Sequence, residues 1–306
     1  MTLGVALAAA GPANYVDEIV RQSRLVAGHG VHSVWFGQRM DYDSPLLAAI
    51  VGREVPELQV GTSAIPVIGR HPLLVSAQAQ TAQAATHGRY HLGLALGSAF
   101  AAGAFGLPFD RPIARLREFL TGVRELLDTG TADLHGELLT VTPPWPATLA
   151  GATPRVPVLV AAMGPQALRV SGELADGILP YLAGPRTLGE HIVPAVTAAS
   201  AAAPRVVAFV PAVVTADVEG VRAKAVEQLA FYEQVPSYRR VIELEGVRRA
   251  ADLAIIGDEE TVAAEIQRYF DAGATEVVLT STDLAGEDDQ QRTWKLLGEL
   301  AAGGSR

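Results

Sequence analysis

From Val60 to Gly97 the chain reads VGTSAIPVIGRHPLLVSAQAQTAQAATHGRYHLGLALG, an order of residues that leaves the backbone few options. Val60 to Ala64 is short and β-prone, but the Ile-Pro-Val-Ile-Gly that follows cannot continue a ladder, because Pro66 has no N–H to donate. The strand therefore ends in something irregular, with glycines placed where a flat ring could approach the backbone. Pro72 suits the first turn of a helix, and Leu73, Leu74, Ala77 and Ala84 give that helix an apolar stripe. Gly88 stops it. Tyr90 to Leu96 then resumes as a nearly unbroken apolar run, the pattern of a strand buried on both faces of a parallel sheet.

The same strand-then-helix unit recurs along the chain. Strands are predicted at Leu3 to Ala8, His32 to Phe36, Gln59 to Ala64, Tyr90 to Leu96, Pro157 to Ala161, Gly177 to Leu179, Val206 to Val214 and Thr275 to Thr280. Helices are predicted at Asn14 to Gly28, Pro45 to Arg53, from Pro72, at Ile113 to Leu127, from Pro165, from Leu188, at Val218 to Tyr232 and at Gln290 to Leu300. Eight such units in residues 1–306 predict one α/β domain, a (β/α)8 TIM barrel with insertions. Asp133 to Val141 and the proline-dense TPPWP break the alternation, so a hairpin or loop insertion is expected at about 130–155. A polar excursion at about 233–256 is expected to lie over the site as a lid. An open doubly wound sheet is the alternative fold; against it, no G-x-G-x-x-G follows the first strand.

In such a barrel the site is built at the carboxyl ends of the strands. That selects Ala9 and Ala10, then Gly37, Gln38 and Arg39, then Ser63, Ala64 and Ile65. Gly97 and Ser98, Ala161 to Gln166, and Pro180 with Tyr181 complete the set. Ala161-Ala162-Met163-Gly164-Pro165 joins a strand to a helix start, where free N–H groups and the helix dipole favour an anion.

GT-x-x-x-P-x-x-x-RHP, followed a helix later by GR-x-x-LG-x-x-x-G, resembles the luciferase-like monooxygenase superfamily, in particular its coenzyme F420-dependent oxidoreductases. VLVAAMGPQALRVSGELADG at Val158 to Gly177 and GDEETVAAEIQRYFDAGATEVVL at Gly257 to Leu279 resemble two further segments of that superfamily, in register. The resemblance implies a deazaflavin at the barrel mouth, pressed by a non-prolyl cis peptide that would fall at Ser63–Ala64. It implies cofactor contacts from Gly37, Gln38, Ser63, Ala64, Ile65, Gly97 and Ser98. Ala161, Ala162, Met163, Gly164, Pro165 and Gln166 would hold the ribityl phosphate region. It also implies a homodimer.

One departure from the family is informative. Its sugar-phosphate and alcohol dehydrogenases carry Asp-His after the second strand, whereas this chain has Gln38-Arg39. Glutamine can hydrogen-bond a carbonyl or a deazaflavin edge but is no base, and arginine stays protonated. Tyr181 and Gly184 stand where those dehydrogenases use Thr and Lys for a sugar phosphate. What remains suits an F420H2-dependent reductase passing hydride to an electron-poor C=C or C=N of a small, fairly hydrophobic metabolite. Gln38 would hydrogen-bond the reacting groups, and Tyr42, Tyr181, His71 or Tyr238 would supply the proton. His71 has an equal reading as a helix cap. An FMN-dependent monooxygenase of the same superfamily is the alternative, and a cofactor-free binding protein a third reading.

The formal charge of −9, from 24 basic and 33 acidic residues, is spread without a basic block, so a nucleic-acid partner is not expected. The apolar start MTLGVALAAAG lacks a basic region and ends at Gly11-Pro12, which reads as a strand rather than a leader or membrane span. Absence of cysteine removes disulfides and thiolate chemistry and suits a cytoplasmic protein. No metal site is expected: His29 with His32, and His87 with His91, fall at the face opposite the mouth.

Overall fold

The computed structural model describes residues 1–9, 11 and 13–303, so Ala10 and Pro12 lie outside the described residues. Eight parallel strands close into a barrel. They are β1 Leu3–Ala6, β2 Ser33–Phe36, β3 Gln59–Thr62, β4 Tyr90–Ala95, β5 Val158–Ala161, β6 Gly177–Ile178, β7 Arg205–Val214 and β8 Glu276–Thr280. Each pairs with its sequence neighbour, and β8 pairs with β1 through Leu3 beside Val277 and Val5 beside Leu279, which closes the ring. Closure rules out the open sheet.

Because side chains alternate along a strand, each strand divides its residues between two cores. Leu3, Val5, Val34, Phe36, Val158 and Val160 face outward into the layer shared with the helices. Trp35, Leu159, Leu179, Val207, Phe209 and Val278 fill the inside. Local chemistry starts the helices where the sequence predicts. The Asn14 side chain accepts from the Val16 and Asp17 N–H groups, and Asp43 accepts from Leu46 N–H. Pro72, Pro112 and Pro165 occupy first turns, where a missing N–H costs nothing.

Four features refine the sequence reading. Leu134–His135 and Thr140–Val141 pair as an antiparallel hairpin in the expected insertion. The second excursion is helical: short 3-10 turns at Ala230–Gln234 and Ala250–Leu253 flank a helix at Pro236–Glu245. It ends in an unanticipated strand, Ile255–Gly257, which pairs with the last three residues of β7. A short helix at Ala99–Ala104 was also not anticipated. Among the described residues no helix is long and apolar enough to cross a membrane.

Candidate functional site at the carboxyl end of the barrel

The Trp35 indole closes the barrel at mid-height. It stands edge-on to Phe209 with ring centroids 5.5 Å apart, and Gly61 makes room for it: a Cβ there would sit 2.4 Å from the indole. Above this floor the inward positions of the first five strands are small. Ala6, Ala64 and Ala161 pack against the inner core, and alternation after Trp35 and Gly93 adds Gly37 and Ala95. The remaining strands end in larger or polar groups, Tyr181, Phe209 and Thr280. The mouth, called the cup below, is thus lined by small residues on one side and by aromatic and hydroxyl-bearing ones on the other.

Between β3 and the two-residue strand Ile65–Pro66, which pairs with Leu94 and Ala95 of β4, the Ser63–Ala64 peptide is cis, at the bond the family resemblance singles out. Ser63 N–H donates to the Phe36 carbonyl at 2.8 Å, which ties this bend to β2 beside Gly37. Ile65 contributes backbone only, since its side chain is buried in the outer core.

At the β5 end, Ala161 turns inward while Ala162 and Met163 pack against the outer core. Gly164 caps the helix Pro165–Leu174 without any side-chain hydrogen bond, and a Cβ at Gly164 would meet nothing within 4 Å. This helix start, with Gln166 exposed, leaves donors open to an anion. Gly97 has φ +86°, and a Cβ there would fall 2.6 Å from the Ile68 side chain, so the turn after β4 needs glycine. Ser98 is committed as a cap, accepting from Ala101 N–H at 3.2 Å.

The four residues assigned a chemical role do not converge. Gln38 is saturated by its own loop: its amide donates to the Arg39 and Tyr42 carbonyls, and its Oε1 accepts from Ser44 at 3.0 Å and Arg70 at 3.1 Å. It holds the β2 loop in shape, with no polar atom left over. Tyr42 donates to the Gly37 carbonyl at 2.8 Å and stacks on Tyr15 at 5.0 Å, and burial raises its phenol. His71 caps the helix Pro72–Ala85, with Nδ1 accepting from Leu73 N–H at 3.3 Å and Nε2 3.0 Å from the Thr140 carbonyl of the hairpin. Both ring nitrogens are engaged, Nδ1 as acceptor and Nε2 beside a carbonyl, which is the geometry of the cap reading. Arg39 pairs with Asp41 at the surface.

Of the four, Tyr181 packs against the inner core of the barrel. Burial raises its phenol first, Tyr232 and Tyr238 add to the shift, and Thr280 opposes it. Tyr232 and Tyr238, from the helical excursion, meet the Tyr181 ring edge-on at 5.1 and 5.9 Å. Thr280 ends the eighth strand and so lies beyond the strand ends singled out from the sequence, which stop at the sixth.

At the opposite, amino end Glu276 is almost fully buried. It accepts from Ser33 Oγ, from Trp35 Nε1 at 3.2 Å and from Arg205 at 3.0 Å. Arg205 also donates to His91 Nδ1 at 3.2 Å, which requires that ring to be neutral. Burial, then Arg205 and His32, push His91 down to about 3. A hollow of about 310 Å3 opens here between His32, His91, Arg205 and Glu276. Among the described residues no group of three or more His, Asp or Glu side chains is placed to hold a metal ion.

A closed parallel barrel with a small-lined cup at its carboxyl end defines a (β/α)8 scaffold of the kind that works at its mouth. The chain belongs to the luciferase-like monooxygenase family, whose model matches residues 1–276. A curated relative is 5,10-methylenetetrahydromethanopterin reductase of Methanolobus tindarius, 23% identical over 187 residues. The match covers 61% of this chain and 56% of that protein, so the chain spans little more than half of the relative's length. Among solved structures, the coenzyme F420-dependent tetrahydromethanopterin reductase of Methanopyrus kandleri superposes with TM-score 0.77 at 19% identity, covering 100% of this chain and 99% of that one. The FMN complex of the oxygenating constituent of 3,6-diketocamphane monooxygenase from Pseudomonas putida gives 0.77 at 14% identity, covering 99% and 98%. At these identities the structures share the fold.

Proposed function

We propose that this chain is an F420H2-dependent reductase acting on an electron-poor C=C or C=N of a small, fairly hydrophobic molecule. The observation that carries it is the lining of the mouth: five consecutive strands end inward in Ala6, Gly37, Ala64, Ala95 and Ala161, small residues on which a flat tricycle would lie. The donor set agrees. The open helix start at Gly164–Gln166 suits a phosphate, and neither Gln38 nor Arg39 can take a proton from an alcohol. Ser63, Ala64 and Gly37 would bear on the ring face, and Ala161 on its edge. When bound, F420H2 supplies hydride. Tyr181, a phenol kept protonated by burial, faces the reacting centre as a hydrogen-bond donor, and the tyrosines of the excursion exclude water from it.

An FMN-dependent monooxygenase is the second reading, favoured by the FMN-bound neighbour of the same fold. Reduced flavin reacts with oxygen and the deaza analogue does not, so cofactor choice decides the reaction class. Titration of the purified protein with F420 and with FMN, followed by fluorescence, separates them. Preferential F420 binding is expected; FMN retained through purification, with no F420 binding, would replace the reductase by the monooxygenase.

A further inference from the structure

Thr280 occupies the last inward position of β8, after Glu276 and Val278. Its Oγ1 is buried and has no hydrogen-bond partner among the described residues. Buried hydroxyls are rarely left unbonded, so one left so at a barrel mouth needs a reason. The register supplies neighbours. β7 sets Phe209 beside Val278 and Pro211 beside Thr280, and Phe209 bridges on its other side to Tyr181. Tyr181 and Thr280 therefore flank β7 at the same end of the barrel, with their hydroxyls near enough to interact. Tyr232 and Tyr238 brace the Tyr181 ring from behind.

We propose that the Thr280 and Tyr181 hydroxyls together bind the heteroatom of the substrate's polarised double bond, the carbonyl oxygen of an enone or the nitrogen of a cyclic imine. This rests on the reductase reading and narrows its substrate class: an alkene with no conjugated heteroatom offers the pair nothing to bond. For an enone, the β-carbon gains a hydride from F420H2, which is oxidised to F420, and the π electrons move onto the carbonyl oxygen. The α-carbon then takes a proton from solvent, so the product carries two more hydrogens than the substrate. The two hydroxyls act while charge sits on oxygen, where donors fixed in advance count most.

The test compares Thr280→Val with Thr280→Ser, using cyclohex-2-en-1-one and 1-pyrroline as probes. Without ligand, Thr280→Val is expected to melt close to or above the wild-type temperature, because a methyl replaces a buried hydroxyl that makes no full hydrogen bond and only approaches Tyr181. With oxidised F420 bound, the carbonyl stretch of the enone is expected to move to lower frequency in wild type and in Thr280→Ser, and to lose that shift in Thr280→Val. With F420H2, kcat/KM for the accepted probe is expected to fall about 100-fold in the valine variant and recover in the serine one. F420 affinity, measured separately by fluorescence, should be the same in all three. A valine variant that melts lower and keeps the carbonyl shift would make the hydroxyl structural and overturn the inference. Binding of neither probe to the F420-loaded wild type would also overturn it while leaving the reductase reading in place; failure to bind F420 at all would remove both.

Discussion

Glu276 and Thr280 lie four residues apart on one strand and point into the same barrel, yet one is saturated and the other makes no full hydrogen bond. Glu276 accepts from Ser33, Trp35 and Arg205. Thr280 Oγ1 has no partner among the described residues. The neighbours differ in the same sense. At the amino end the inside of the barrel carries charge balanced within a network that includes neutral His91. At the carboxyl end it carries alanine, glycine and the Thr280 hydroxyl. Burying a charge is tolerable only when it is paired, so the amino end must be complete before folding is favourable. The carboxyl end leaves room and bonding capacity for something that arrives later. On the proposed function, stability and binding are separated along one set of strands, and substitutions at the two ends should have opposite profiles.

The largest effect is expected from Glu276→Ala. It takes the acceptor from the Ser33 hydroxyl and the counter-charge from the Arg205 guanidinium, while Trp35 N–H keeps Ser33 Oγ at 3.0 Å. Arg205 is partly solvated, so we expect a loss near the lower end of the range for a broken buried pair, about 3 kcal/mol in urea denaturation. A loss below about 1 kcal/mol would break the contrast between the ends. Next is Ala161→Leu, which fills the cup from β5. F420 affinity should fall roughly 100-fold, about 2.7 kcal/mol, while the unfolding midpoint moves little. If instead the protein is destabilised and binding survives, Ala161 belongs to the core.

The third effect sharpens the amino end. His91 has a folded pKa of about 3, below its unfolded value near 6.5, so the folded state favours the neutral ring. That contribution is complete above about pH 6.5 and is lost as pH falls toward 3; at pH 5 about 2 kcal/mol should have gone. Stability measured against pH should therefore be flatter between pH 7 and 5 in His91→Gln than in wild type. Equal slopes would contradict the neutral assignment. The smallest effect is His71→Ala, where loss of a helix cap and a tie to the hairpin should cost about 1 kcal/mol. Its kcat with F420H2 and an accepted probe should stay at the wild-type value, and a collapse of kcat would return His71 to the list of proton donors.

How far the sequence could be read follows from these same residues. The barrel was legible because glycine and proline punctuate each unit and both faces of parallel strands are apolar. That second property hides the site. In an apolar strand nothing in the pattern says which residue faces in, so Ala161, which lines the cup, and Ala162, which packs outward, look alike. Gln38 and His71 looked reactive because their partners are remote in sequence: Arg70 lies 32 residues from Gln38, and Thr140 lies 69 from His71. The strand Ile255–Gly257 was invisible for a simpler reason, since three residues carry no period. The cis bend at Ser63–Ala64 came from the family pattern rather than from any local rule.

The central claim is that the carboxyl-end cup takes a deazaflavin. The most direct measurement is a fluorescence titration of the purified wild-type chain with F420, run beside Ala161→Leu at matched stability. Saturable binding by the wild type that weakens roughly 100-fold in the variant is predicted. Equal binding by both proteins, or none by the wild type, would contradict it.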